Sequence, residues 1–253
     1  MGDPDAVLAL LWGQPATPRR GPRPTLTLAA IARAAIGIAD ADGLAAVTMQ
    51  RVADDLGVTK MALYRYVPGK AELVALMIDI AVGEPPRFRG AAGDWRSTLD
   101  DWSRRLFVRF CRHPWALEVT VGARVMGPNE LGWLEGAVAA LTGTGLDGGE
   151  MLDVAVTLIG HVRNLAQQVT AISAPSGGVS TGAHPGDAGS TGAPEQAMAS
   201  VLSTLVRDRR DRFPALAAAL ASAAVHGSQD QALDFGLDRI LDGVEMLIAT
   251  RAR

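Results

Sequence analysis

From Thr48 to Lys70 the chain reads TMQRVADDLGVTKMALYRYVPGK, and few folds accommodate that run. Thr48 stands where a helix Met49–Asp55 needs an acceptor for its unpaired N–H groups. Gly57 follows, where a left-handed backbone is cheapest for a residue without Cβ. Thr59 then caps a second helix through Tyr66, and Pro68 ends it by disfavouring helical dihedrals at Val67. The apolar positions are Val52, Leu56, Val58, Leu63 and Tyr66, and the small Ala53 sits where the helices cross most closely. This is the packing scheme of a DNA-binding helix-turn-helix, whose second helix enters the major groove. Packing leaves Lys60, Met61, Ala62, Tyr64 and Arg65 facing outward, a set suited to phosphates and base edges. An ordinary pair of packed helices is the alternative reading of the same spacing.

The run from Leu28 through Ala81 also resembles the DNA-binding domain of the tetracycline-repressor (TetR) family of transcriptional regulators. Ala35, Gly43, Thr48 and Ala53 carry the likeness, together with LGVTKMALYRYVPGK (Leu56–Lys70) and the helical run AELVALMIDIA. The resemblance implies that Thr48, Thr59, Tyr64, Tyr66 and Lys70 touch phosphates, and that Gln50, Lys60, Met61 and Ala62 lie where family members read bases. Near the C-terminus, DFGLDRILDGVEMLI is similar to the end of one subgroup of the family. The likeness is strong over the first third of the chain and looser beyond it.

A length of 253 residues supplies a sizeable core and one or two domains. Apolar residues make up 48%, rich in Ala and Leu, which favours a soluble, mostly helical protein. A formal charge of −3 rules out a chain that coats nucleic acid by net charge, so attraction to DNA must come from a local patch. The single cysteine, Cys111, permits no intrachain disulfide and reads as a small core residue in a cytoplasmic protein. No apolar stretch reaches membrane-spanning length, and the acidic N-terminus does not read as a signal peptide.

In chain order, residues 1–24 are expected to be a flexible extension, with at most one apolar helical turn in VLALLW. Its Arg19, Arg20 and Arg23 have two readings of equal standing, a minor-groove arm or a solvated tail. A helix from Thr27 to about Asp42 turns Leu28, Ile31, Ala35 and Ile38 to one side. Another from Lys70 to Val82 points Leu73, Leu76, Met77 and Ile80 inward and leads out of the DNA-reading unit. Residues 83–93, with Pro85 and Pro86, mark the domain boundary. Beyond it, helices are expected at 94–112, 115–123, 128–141, 150–172, 195–212, 214–225 and 229–251. Residues 173–194, rich in Gly, Ser and Pro, are expected to be a mobile loop, with His184 solvated within it.

Two apolar stripes point to a dimer. The last helix offers Leu233, Leu237, Ile240, Leu241, Val244, Leu247 and Ile248, and the long one offers Val154, Leu158, Val162 and Leu165. Paired across a two-fold axis they make a four-helix bundle, although each stripe also suits its own core. The resemblance further implies a small-molecule effector in the C-terminal helices. Candidate contacts are Trp102, Phe110, Trp115, Met126, Trp133, His161, Asn164 and Gln168, with plain core packing an equal reading for the aromatics and Met126; Arg124, considered beside these eight, reads as a surface residue or ion-pair member. There is no HExxH, Cys pair, P-loop or GxSxG, so no catalytic residues, metal site or cofactor are expected.

The fold expected is all-α. A three-helix DNA-binding domain over 25–83 joins, through the helix Lys70–Val82, a ligand-binding and dimerising helical bundle over 84–253. The function expected is a ligand-responsive regulator, more often a repressor, that leaves a palindromic double-stranded DNA operator when a small molecule binds. The alternative is a ligand-independent architectural dimer.

Overall fold

The computed structural model describes residues 3–13, 26–86, 94–173, 192–226 and 232–251. Among them the regular secondary structure is entirely helical. The N-terminal third holds α1 (Pro4–Trp12), α2 (Leu28–Asp42), a single 3₁₀ turn (Leu44–Ala46), α3 (Met49–Asp55), α4 (Lys60–Tyr64) and α5 (Lys70–Val82). The remainder holds α6 (Trp95–Arg112), α7 (Trp115–Val119), α8 (Pro128–Leu141), α9 (Gly148–Ser173), α10 (Gly192–Arg207), α11 (Pro214–His226) and α12 (Ala232–Arg251). No helix among the described residues is long and apolar enough to cross a membrane.

Local chemistry sets the ends of the first helices. The hydroxyls of Thr27, Thr48 and Thr59 accept from the backbone N–H groups of Ala30, Arg51 and Ala62 at 3.1, 3.1 and 3.2 Å. Gly43 and Gly57 follow helices at φ +80° and +65°, where a Cβ is penalised. Ile31, Ala35, Val52, Ala53, Leu63, Leu73 and Met77 are fully enclosed and form the core between α2, α3, α4 and α5. Val67, not Tyr66, fills the last apolar position after α4; Tyr66 remains 38% exposed. The α4 helix ends at Tyr64, and Arg65–Tyr66 complete a turn instead of a further helical step.

The first half of the N-terminal extension departs from expectation. Residues 4–12 are a nine-residue helix rather than one turn of a flexible tail, capped by Asp3, whose side chain accepts from Asp5 N. This helix packs along α5, with Val7 buried and Leu10 and Leu11 against the core. At its end the Trp12 indole donates to the Met126 carbonyl at 2.9 Å. Arg19, Arg20 and Arg23 lie outside the described residues.

With α1, α2, α6 and α8 all against it, α5 has almost no wet side. Ile78, Asp79, Ala81 and Val82 are buried besides the inward face read from spacing. One apolar cluster therefore runs without interruption from α2 to α12, across the boundary drawn at 83–93. In the second part, α6 lies along α9, and α8 and α12 flank the pair. Leu99, Trp102, Leu106 and Phe110 form the buried stripe of α6.

Several bounds shift for identifiable reasons. The α7 helix stops at Val119 rather than 123, since Gly122 adopts φ +85°. The α10 helix ends at Arg207, and 208–213 turn into Pro214, which opens α11 at a position where a missing N–H costs nothing. It begins at Gly192, so the last residues of the expected 173–194 loop are helical, while α9 includes Ser173. Residues 174–191, His184 among them, lie outside the described residues, as do 227–231 ahead of α12.

Candidate nucleic-acid interface

The two short helices α3 and α4 meet at the buried Ala53, and Val58 N donates back to the Ala53 carbonyl at 2.9 Å to close the turn. Packing of Leu63 and Val67 fixes the rotation of α4. The opposite side of α4 then carries Lys60, Met61, Tyr64 and Arg65, all exposed, with Met61 at 74%. Ala62 is half-buried at the edge of this face. Lys60 Nζ lies 5.7 Å from the centroid of the Tyr64 ring, so the ammonium and the phenol are presented side by side.

Thr48, Gln50, Thr59, Tyr66 and Lys70 are also exposed and surround that face. Thr48 and Thr59 use oxygen lone pairs as caps, which leaves their O–H groups free to donate outward. Lys70 Nζ rests 3.4 Å from the Leu44 carbonyl at the first turn of α5. Gln50 donates to Asp54 Oδ1 at 2.7 Å, so reading a base edge requires that bond to be exchanged. Arg51, spent in an ion pair with Asp42, is tied to α2 instead.

Three polar ties join this unit to the C-terminal helices, and the spacing of apolar residues gave no sign of them. Asp40 of α2 accepts from Trp115 Nε1 at 2.7 Å and meets His113 Nδ1 at 2.8 Å. Asp79 of α5 caps α8, accepting from Asn129 N at 2.8 Å and Glu130 N at 3.2 Å, and from Asn129 Nδ2 at 3.1 Å. Burial raises the Asp79 pKa above the ordinary carboxylate value, and those N–H groups oppose the rise. Gly83, which closes α5, receives the Trp133 indole N–H at 3.0 Å. The one available hint was Asp79 itself, an acid within the apolar run LMIDIAV.

Among the described residues the eight ligand candidates lie in different surroundings. Trp102 is enclosed and donates to the Trp133 carbonyl at 2.9 Å, and the two rings meet edge to face at 5.9 Å. Trp115 and Trp133 are buried with their N–H groups spent on Asp40 and Gly83. Phe110 is buried beneath the Arg163 guanidinium. Met126 is 42% exposed beside Trp12, and Asn164 and Gln168 face outward on α9. His161 is half-buried against Gly236 of α12, and its Nε2 has no partner. An open groove of about 500 Å³ runs along the outer side of α6, lined by Arg105, Val108, Arg109 and Arg112; of the eight only Trp133 reaches it.

An exposed, capped reading helix packed through its neighbours onto a helical body defines a helix-turn-helix DNA-binding regulator. Residues 31–77 match the family described as bacterial regulatory proteins, tetR family, and residues 89–248 match the tetracyclin repressor-like C-terminal domain. The HTH-type transcriptional repressor DrrR1 of Streptomyces coeruleorubidus is 36% identical over 252 residues, covering 99% of this chain and 88% of that one. An HTH-type transcriptional regulator of Saccharopolyspora erythraea is 28% identical over 216 residues, 85% of this chain and 82% of that one. Among solved structures, apo ActR of Streptomyces coelicolor aligns with TM-score 0.70 at 23% identity, covering 91% of this chain and 99% of that one. ActR in complex with actinorhodin aligns with TM-score 0.68 at 25% identity, covering 86% and 94%. The chain belongs to the TetR family of transcriptional regulators.

Proposed function

We propose that this protein is a repressor that binds a two-fold symmetric operator as a homodimer in the cytoplasm and leaves it when a small molecule binds the helical body. The observation that carries the reading is the placing of α4. Its polar side is bare, while its apolar side packs on α3, α3 on α2 and α2 on α5, and α5 is itself gripped by α1, α6 and α8. Displacement of the body is thereby transmitted to the reading helix. DrrR1 is a repressor, and ActR binds actinorhodin, which supports the same scheme here.

In this scheme Thr48, Thr59, Tyr64, Tyr66 and Lys70 hold phosphates, and Gln50, Lys60, Met61, Ala62 and Arg65 face the bases. Arg19, Arg20 and Arg23 follow α1 in the sequence and serve as an arm for the minor groove. Dimerisation uses α9 and α12, which leave Val156 62%, Phe235 64% and Met246 69% exposed. Such apolar exposure on two long helices suits a bundle with a second copy. The two reading helices then address half-sites about 34–36 Å apart.

A ligand-independent architectural dimer is the second reading. The Trp102, Trp115 and Trp133 N–H groups, all satisfied from within, favour it. Selection of bound duplexes from a random DNA pool, repeated with small molecules present, separates the two. Enrichment of an inverted repeat that a small molecule abolishes supports the repressor. An inverted repeat indifferent to every molecule tried supports the architectural dimer, and enrichment of no sequence overturns both.

A further inference from the structure

A corner of the helical body holds more positive charge than it neutralises. Arg163 of α9 directs its guanidinium inward, where it meets only neutral acceptors. One terminal nitrogen donates to the Thr120 hydroxyl and the other to the Leu117 carbonyl at 2.9 Å, while the Phe110 ring lies 5.6 Å from Cζ. No carboxylate among the described residues pairs with it.

Arg124, four residues beyond Thr120, is a second guanidinium close enough for its charge to disfavour protonation of Arg163. Both of its terminal nitrogens grip Glu130, one at 2.8 Å, yet its buried Nε donates to nothing. The Arg124 side chain is only 21% exposed and Glu130 only 9%. Two cations therefore face one carboxylate in a partly dehydrated setting. Burial, and after it the charge of Arg124, pulls the Arg163 pKa below its ordinary value.

An uncompensated buried cation destabilises a fold, and apolar residues of similar volume serve packing better. Guanidinium groups match the planar, two-oxygen geometry of a carboxylate. We propose that Arg124 and Arg163 form a seat for the carboxylate of a small organic acid, with the Arg163 fork and the free Arg124 Nε as donors. The assignment rests on the effector reading above and names the chemistry of the effector. The seat adjoins the contact between α8 and α5 directly. Glu130, the partner of Arg124, donates its backbone N–H to Asp79 of α5 at 3.2 Å. An anion that draws Arg124 away from Glu130 loosens the first turn of α8, where α5 is held.

The test uses the full-length protein, with 1-naphthoate as the probe and 1-naphthamide as its neutral counterpart. Inorganic phosphate at matched ionic strength is a further arm. Binding is read by tryptophan fluorescence and by thermal unfolding, in the absence of DNA. Naphthoate is expected to saturate and to raise Tm, with naphthamide and phosphate much weaker. Arg163→Gln and Arg124→Gln should each weaken naphthoate by about tenfold or more, the loss of a charge-assisted pair, and Arg163→Lys should retain part of the binding. Arg124→Gln and Arg163→Lys keep the test valid if Arg163→Gln fails to fold.

Equal binding of naphthoate and naphthamide, an unaltered affinity in the folded variants, or no stabilisation by naphthoate over chloride overturns the seat. Phosphate protection equal to that of naphthoate overturns the organic acid in favour of an inorganic oxyanion. Operator release is measured separately. Naphthoate that binds through both arginines but leaves operator affinity unchanged upholds the seat and removes the effector reading.

Discussion

The indole of Trp115 donates to Oδ1 of Asp40 at 2.7 Å, and the same oxygen meets His113 Nδ1 at 2.8 Å. One carboxylate oxygen on the outer rim of the DNA-reading unit thus collects two side chains from the bend between α6 and α7. Replacing Asp40 by Ala strands both at a mostly buried site. The expected loss is about 1–3 kcal/mol of stability. Chemical denaturation checks the magnitude, and a shift in Trp115 emission before global unfolding checks the location.

Tyr64→Ala and Lys70→Ala should lower operator affinity with an unchanged melting temperature, because both side chains are exposed. Arg65→Ala should also lower affinity but leave the slope of log affinity against log salt unchanged, as for a side chain that faces the bases; a slope smaller by about one would place Arg65 on a phosphate instead. Titrations of operator DNA over a range of salt concentrations measure both.

Gly57→Ala isolates backbone strain. Nothing lies within 4 Å of a Cβ built at that position, yet φ is +65°. The variant should lose about 1–2 kcal/mol from left-handed backbone alone. Gly57→Asn should recover much of that loss, since Asn visits this region more readily. Thermal unfolding of the pair decides the matter, and equal stability of all three proteins would rule strain out.

Burial pushes the Cys111 thiol up to about 11. At pH 8 almost no thiolate exists in the folded protein, whereas the unfolded chain, with an ordinary thiol, carries an appreciable fraction. Iodoacetamide should therefore label native Cys111 slowly and label it quickly in denaturant, and raising the pH towards 11 should accelerate the native reaction. Rapid native labelling at pH 8 would count against a raised thiol pKa at this half-buried position.

Removing residues 1–13 should destabilise α5 without touching α4, because Val7 and the Leu10–Leu11 pair leave its flank and the Trp12–Met126 bond is lost. Hydrogen exchange should rise along α5 first. If exchange there is unaltered, α1 contributes nothing to holding α5.

The sequence was most legible where a structural decision is local. Thr48, Gly57, Thr59 and Pro68 each act within a few residues, so the bounds Met49–Asp55 and Lys70–Val82 could be read directly. Tyr66 and Val67 were exchanged, since both are apolar enough for the last core position and only the turn after Tyr64 decides between them. The α1 helix was underestimated because its packing partner α5 lies far along the chain and the intervening residues are rich in Pro and Gly. The candidates for effector contact could not be sorted from core residues for a related reason. An indole N–H that ends on Gly83 or Asp40 looks, in a sequence, the same as one awaiting an effector. Nothing in the sequence singles out Arg163, since its unmatched state is visible only once its neighbours are assembled.

The enclosure of α5 also limits how the molecule can evolve. A rod with solvent along one side can be retuned by single surface exchanges. This one touches other helices on nearly every side, so an altered residue there must be accommodated by a counterpart on α1, α2, α6 or α8. New operators are then best acquired at the bare side of α4 and new effectors in the body, while the shaft between them stays the same.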